Sequence, residues 1–160
     1  MVWALSGCGA DDAPQAAQVS PPTGGLTVRD PWVKAADQGM TAAFAVLVNS
    51  GPRDVTVVGA ASDVSESVEL HEMAMQDGGM VMREKPGGLT VPAGGEYRLE
   101  PGGDHLMLMG LDRPVQAGDQ ITLTLTLSDG TTVEFSAVAK PFTGAQESYQ
   151  PGHGTGSMGD

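Results

Sequence analysis

One cysteine, eight basic residues and no long apolar run set the outer limits on this 160-residue chain. With Cys8 alone, no disulfide can form within the chain. A blue-copper centre needs a Cys beside two His, and no Cys lies near the His-bearing segments. A binuclear thiolate centre or a Cys-rich zinc site is excluded for the same reason. Eight Lys and Arg face twenty Asp and Glu, a formal charge of −12. That balance argues against nucleic-acid binding, which needs a basic surface. It keeps the protein soluble and attracts cations weakly; the acidic residues are spread out and read as a solvated surface. No segment is long enough to span a membrane as a helix, and no convincing helical period appears. Neither a Gly-x-Ser-x-Gly elbow nor a His-Glu-x-x-His helix is present, so no enzyme is expected.

What is present is a concentration of soft donors. His71-Glu72-Met73 and His105-Leu106-Met107 repeat one pattern, His-x-Met, with Met80 and Met82 between them. Two of the three His and six of the nine Met (Met73, Met75, Met80, Met82, Met107, Met109) lie between residues 71 and 109. Thioethers favour Cu(I), and imidazole suits copper or zinc. A single Met is more often core filler than ligand. Two His that each share a strand face with Met shift the balance toward a soft-metal site.

Strand geometry makes the spacing meaningful, because residues i and i+2 share a face. Over residues 68–75, Val68, Leu70 and Ala74 take one face; Glu69, His71, Met73 and Met75 take the other. Over residues 105–109, Leu106 and Leu108 oppose His105, Met107 and Met109. Each segment thus has an apolar face of its own and a His-Met face behind it. Glu69 and Glu72 fall on opposite faces and cannot act as an acid–base pair.

The core reads as all-β. Leu26–Arg29 predicts a short strand before Pro31. Met40–Val48 is apolar on both faces, ended by Asn49-Ser50-Gly51-Pro52. Val55–Val58 follows, and Asp77-Gly78-Gly79 predicts a hairpin between residues 66–75 and 80–83. Further strands are expected at Leu89–Val91, Tyr97–Leu99, Ile121–Ser128 and Val133–Ala137. Short strands with Gly/Pro turns suggest a sandwich or barrel. A shallow site near one end of it is expected.

These motifs resemble the PCu(A)C domain family of bacterial extracytoplasmic copper(I) chaperones. The spacing from His71 to Met82, with ten residues between, fits the family pattern. The spacing from Met82 to His105 is twenty-two residues, one more than usual, and the turn Glu84–Gly88 is the expected place for the extra residue. Parity does not separate Met82 from Met80, since both lie on the same strand face. Pro31-Trp32-Val33, Ala43-Phe44 leading to Asn49, Leu89–Gly95 and Pro101–Leu111 also resemble the family, over residues 25–141. The resemblance implies a cupredoxin-like Greek-key β-barrel. It also implies copper(I) ligands His71, Met82, His105 and Met107, with Met73, Met80 and Met109 as accessory thioethers.

Leu5-Ser6-Gly7-Cys8 looks like a lipobox, with Cys8 as the acylated residue and Gly9–Gly24 as a tether. Residues 1–24 are expected to be a truncated lipoprotein signal and linker, and residues 142–160, with His153 and Met158, a disordered tail. The implied role is copper(I) delivery to a membrane cuproenzyme, such as a cytochrome c oxidase subunit or its assembly factor. The implied location is the outer face of a bacterial cytoplasmic membrane, held there by the lipid anchor. Copper scavenging or tolerance, and a lipid-anchored β-sandwich binding module without metal, are the alternatives.

Overall fold

The structure is a computed structural model that describes residues 25–142. Cys8, His153 and Met158, and with them the lipobox, tether and tail expectations, lie outside the described residues. Ten strands follow in order: β1 (Leu26–Lys34), β2 (Met40–Asn49), β3 (Val55–Ser62), β4 (Ser65–Gln76), β5 (Gly79–Glu84), β6 (Leu89–Val91), β7 (Glu96–Leu99), β8 (His105–Leu111), β9 (Gln120–Leu127) and β10 (Thr132–Lys140). No α-helix occurs among them.

Seven strands close into a barrel in the order β4-β8-β2-β1-β10-β9-β3, and the pair Ala60–Val68 joins β3 back to β4. The β1–β10 contact is parallel and the other pairings are antiparallel. This is the cupredoxin-like Greek-key barrel expected. Strand alternation fills it: Leu70, Leu106, Leu108, Ile121, Leu123, Leu125 and Leu47 all point into one core and are almost completely buried. Asn49 ends β2 as expected, but does so from inside the protein. Its amide donates to the carbonyls of Arg53 (2.7 Å) and Val91 (3.1 Å), and its carbonyl oxygen accepts from Gly51 N–H (3.0 Å).

Several strands run longer than expected, and β1 and β4 shape the site. β1 does not stop at Pro31. The register slips between Arg29 and Trp32, with Asp30 at φ 50°, so a bulge absorbs Pro31, which has no N–H to give a ladder. The extra residue reverses the parity of the strand. Leu26 faces the barrel core before the bulge and Val33 after it, which leaves Trp32 on the outer face opposite Phe44. β4 runs on beyond the barrel wall. Up to His71 it pairs with β8; from His71 onward it pairs with β5. The two-residue turn Asp77-Gly78, with both φ values positive, makes that overhang a hairpin.

At the same end of the barrel, Lys85 ties the two His-bearing strands together. Its Nζ lies 3.0 Å from Glu72 and 3.5 Å from Asp104, and its N–H donates to Leu70 O at 2.7 Å. Tyr97 O–H donates to Asp104, and Arg83 pairs with Glu72. The bonds from Lys85 and Arg83 hold the Glu72 carboxyl below its usual range, and the bond to Glu72 raises the Lys85 ammonium. Burial, and then the bond to Asp104, push the Tyr97 phenol up to about 12.

A raised folded-state pKa contributes stability that is complete below the unfolded value and is lost as pH rises through the folded one. Stability should therefore decline in alkali from pH 10.0, the ordinary phenol value, up to about 12. In a Tyr149→Phe background, a phenolate absorbance titration should place Tyr97 near the upper value, and Tyr97→Phe should flatten the Tyr97 share of the decline in denaturant stability. A Tyr97 midpoint at the ordinary value would contradict this account.

Candidate metal centre

β4 and β8 are walls with two apolar sides. Leu70, Leu106 and Leu108 face the barrel core. The opposite faces build a second, smaller cluster: Met107 from β8, Met82 from β5, and Ala42 and Phe44 from β2, with Trp32, Met73 and Met109 packed against it. His71 and His105 are register partners across β4–β8, and their ring centroids are 5.6 Å apart. The structure therefore brings together His71, His105, Met82 and Met107, the four residues that the family resemblance implied, on the outer face of the barrel.

Burial exceeds the expectation of a shallow site. His71 and His105 are 0% exposed, Met82 1% and Met107 6%. The β4–β5 hairpin supplies the cover, because it folds Met82 over the end of β8. Trp32 completes it, with its ring 4.6 Å from Phe44 and 5.5 Å from Phe142. Phe44 in turn lies 6.2 Å from the His105 ring. Beside the cluster opens a cavity of ≈ 220 Å³, lined by Met82 and Met107 at its inner side and by Met40, Lys34, Pro101 and Phe142 among others.

The hydrogen bonds orient both rings. His105 Nδ1 is 2.9 Å from Gly103 O, and a carbonyl only accepts, so Nδ1 carries a proton. In the neutral ring, Nε2 is then a lone pair. It points at Met82 Sδ, 2.8 Å away. Two electron-rich atoms face each other across a buried gap, an arrangement that a shared cation would relieve. His71 is held differently: its Nε2 donates to Glu69 Oε2 at 2.7 Å, so a metal lone pair would come from Nδ1. A carboxylate behind a ligating imidazole fixes its tautomer and raises its basicity.

Pairing register separates the candidates that parity left open. Met82 lies opposite Met73, next to the His pair; Met80 lies opposite Met75 at the hairpin tip and is 53% exposed. Met73 and Met109 border the cluster. Glu69 was legible only as a neighbour sharing His71's face, and its contact with the ring was not anticipated. Trp32 was missed as a cover because Pro31 read as the end of a strand. Among the described residues, no group of three or more His, Cys, Asp and Glu is placed to hold a metal.

Comparison with known proteins places the chain. Residues 26–139 match the family described as "Putative lipoprotein LpqE-like". "Putative lipoprotein Lxx21020" of Leifsonia xyli subsp. xyli is 42% identical over 146 residues, covering 91% of this chain and 88% of that protein. The solution structure of apo-DR1885 from Deinococcus radiodurans is 32% identical, with a TM-score of 0.59 over 89% of this chain and 97% of that one. CuI-DR1885 is 35% identical, with a TM-score of 0.58 over 79% and 83%. The copper-bound PCuAC domain from PmoF2, at 20% identity and a TM-score of 0.62 over 76% and 97%, shares the fold. The family match spans the barrel from β1 to β10, and a relative well above a third identical covers nearly the whole chain: this protein belongs to the LpqE-like family.

Proposed function

We propose that this protein is a lipid-anchored, extracytoplasmic carrier of copper(I), with His71, Met82, His105 and Met107 as ligands. The observation that carries this reading is the His105 Nε2–Met82 Sδ approach at 2.8 Å, buried and flanked by His71 and Met107. Imidazole with thioether is a soft donor set suited to Cu(I). The likeness to CuI-DR1885 at 35% identity supports it. The lipoprotein descriptions of the family and of the Leifsonia relative support acylation at Cys8. Met82 and Met107 line the ≈ 220 Å³ cavity, so a partner's donor atom can reach the ion from that side while the two His hold it from behind. Such a site holds copper and gives it up by ligand exchange. The receiving protein we infer is a membrane cuproenzyme, the copper centre of cytochrome c oxidase or its assembly factor.

Three measurements test this. Truncating a buried Met to Ala opens a cavity costing about 2–5 kcal/mol, whereas Met→Leu conserves volume and costs less than about 1.5 kcal/mol. Met82→Leu/Met107→Leu should thus keep the fold and lose Cu(I) affinity, read by competition with a chromophoric chelator. Met80→Leu should leave the equilibrium affinity near wild type. Full affinity in the double variant would refute the ligand assignment.

Glu69→Gln keeps the size of the side chain and removes the charge behind His71. Cu(I) affinity should fall by about 10–100-fold, the usual cost of losing an outer-shell partner. An unchanged affinity would mean that the Glu69–His71 contact plays no part in binding.

For the role itself, deleting the gene should lower cytochrome oxidase activity under copper limitation, and added copper should restore it. Wild type should complement, and a His71→Ala/His105→Ala variant should not. Normal oxidase activity at low copper with sensitivity at high copper would favour scavenging or tolerance.

A further inference from the structure

The burial of the site raises the question of how a cation enters it. Two exposed methionines offer an answer. Met75 is 69% exposed and Met80 53%, although an apolar side chain gains nothing from standing in water. They are register partners, Met75 opposite Met80, two rungs out from Met73 opposite Met82 with Ala74–Val81 between. Residues alternate in facing, so Met75, Met73 and His71 share one face of β4, and Met80 and Met82 share the same side of β5. Four thioethers therefore form two successive pairs on one face of the ladder, about 7 Å apart along the strands. The outer rung is in solvent; the inner rung includes a buried candidate ligand, Met82, and ends at the two imidazoles.

We propose that Met75 and Met80 form a second, weaker Cu(I)-binding site, the loading port of the buried one. This rests on the copper(I) reading of the buried site and extends it to the route of entry. Cross-strand partners lie about 5 Å apart at Cβ, close enough for two flexible thioethers to take one soft ion between them. Transfer inward is ligand exchange. The Cu–S bonds to Met75 and Met80 break as bonds to Met73 and Met82 form; the Cu–S bond to Met73 then breaks as bonds to His71, His105 and Met107 form. The ion remains Cu(I) throughout, no electron moves, and thioethers carry no proton to displace. Charge favours entry here over the cavity. Asp77 sits in the hairpin turn and Glu84 follows Met82 on the same face, whereas Lys34 lines the cavity.

The full chain is tested with Cu(I) supplied from a chromophoric chelator, as wild type and as Met75→Leu/Met80→Leu. Both positions are exposed, so the fold should be untouched, and unchanged His imidazole spectra would verify it. The variant should keep the wild-type equilibrium affinity at the buried site. Its loading rate should fall by roughly tenfold, since a tethered donor next door acts at millimolar effective concentration. With Cu(I) beyond one equivalent, the Met75 and Met80 methyl signals of the wild type should shift. A variant that loads at the wild-type rate would overturn the port, as would Met75 and Met80 methyls that do not move. If the wild type binds no Cu(I) tightly, the carrier reading itself falls, and a competition titration run beforehand distinguishes that failure from failure of the port.

Discussion

The register of β4 against β8 is the constraint on which the rest of the structure depends. It sets His71 opposite His105 and, on the same two strands, aims Leu70, Leu106 and Leu108 into the barrel. A slip of one residue would exchange the two faces, placing imidazoles in the hydrocarbon core and leucines outside. The register therefore has the whole apolar core behind it. Lys85 adds a local clamp on the barrel side, since it bonds the residue after His71 and the residue before His105. The His-Met side is thus positioned by forces acting on the other side of the same strands. Its donors can be selected for chemistry while the leucines do the folding.

Much of this was readable from periodicity. The two-faced character of β4 and β8 follows from alternation, and the same alternation explains why His and Met recur at i and i+2. The Ile121–Leu127 run gives β9 for the same reason. The Asp77-Gly78 turn is legible because a two-residue hairpin needs two positive φ values, which Asp and Gly tolerate. Spacing on the two strands and the hairpin picked out the two His and the Met residues around them, and the family resemblance implied the particular four that meet at the site.

What could not be read depends on contacts between segments distant in the chain. Pro31 reads as an end to β1, yet a bulge carries the strand past it and turns Trp32 toward Phe44. Whether a strand survives a proline depends on whether its neighbour can bulge around it, and β2 lies outside the local window. The depth of the site was likewise hidden. Neither His-x-Met pattern reveals that β5 folds across β8, and it is this cover, with Trp32 and Phe142, that takes the imidazoles out of water. Met80 and Met82 share a parity, and only the place of each rung along the hairpin separates an exposed thioether from a buried one.

Burial also bears on which ion the site can hold. A charge taken from water into an apolar setting is costly unless compensated. The four proposed donors, two neutral imidazoles and two thioethers, carry no charge. The Glu69 carboxylate lies 2.7 Å from the His71 ring and is 34% exposed on its side chain. One negative charge at the edge of the site balances one positive charge within it. With the proposed donors, the Glu69 charge would offset a monovalent soft ion in full and a divalent ion only in part. In the proposed carrier the donor atoms and the Glu69 charge would favour the same ion, and Glu69→Gln separates them: it removes that charge and leaves the four donors in place.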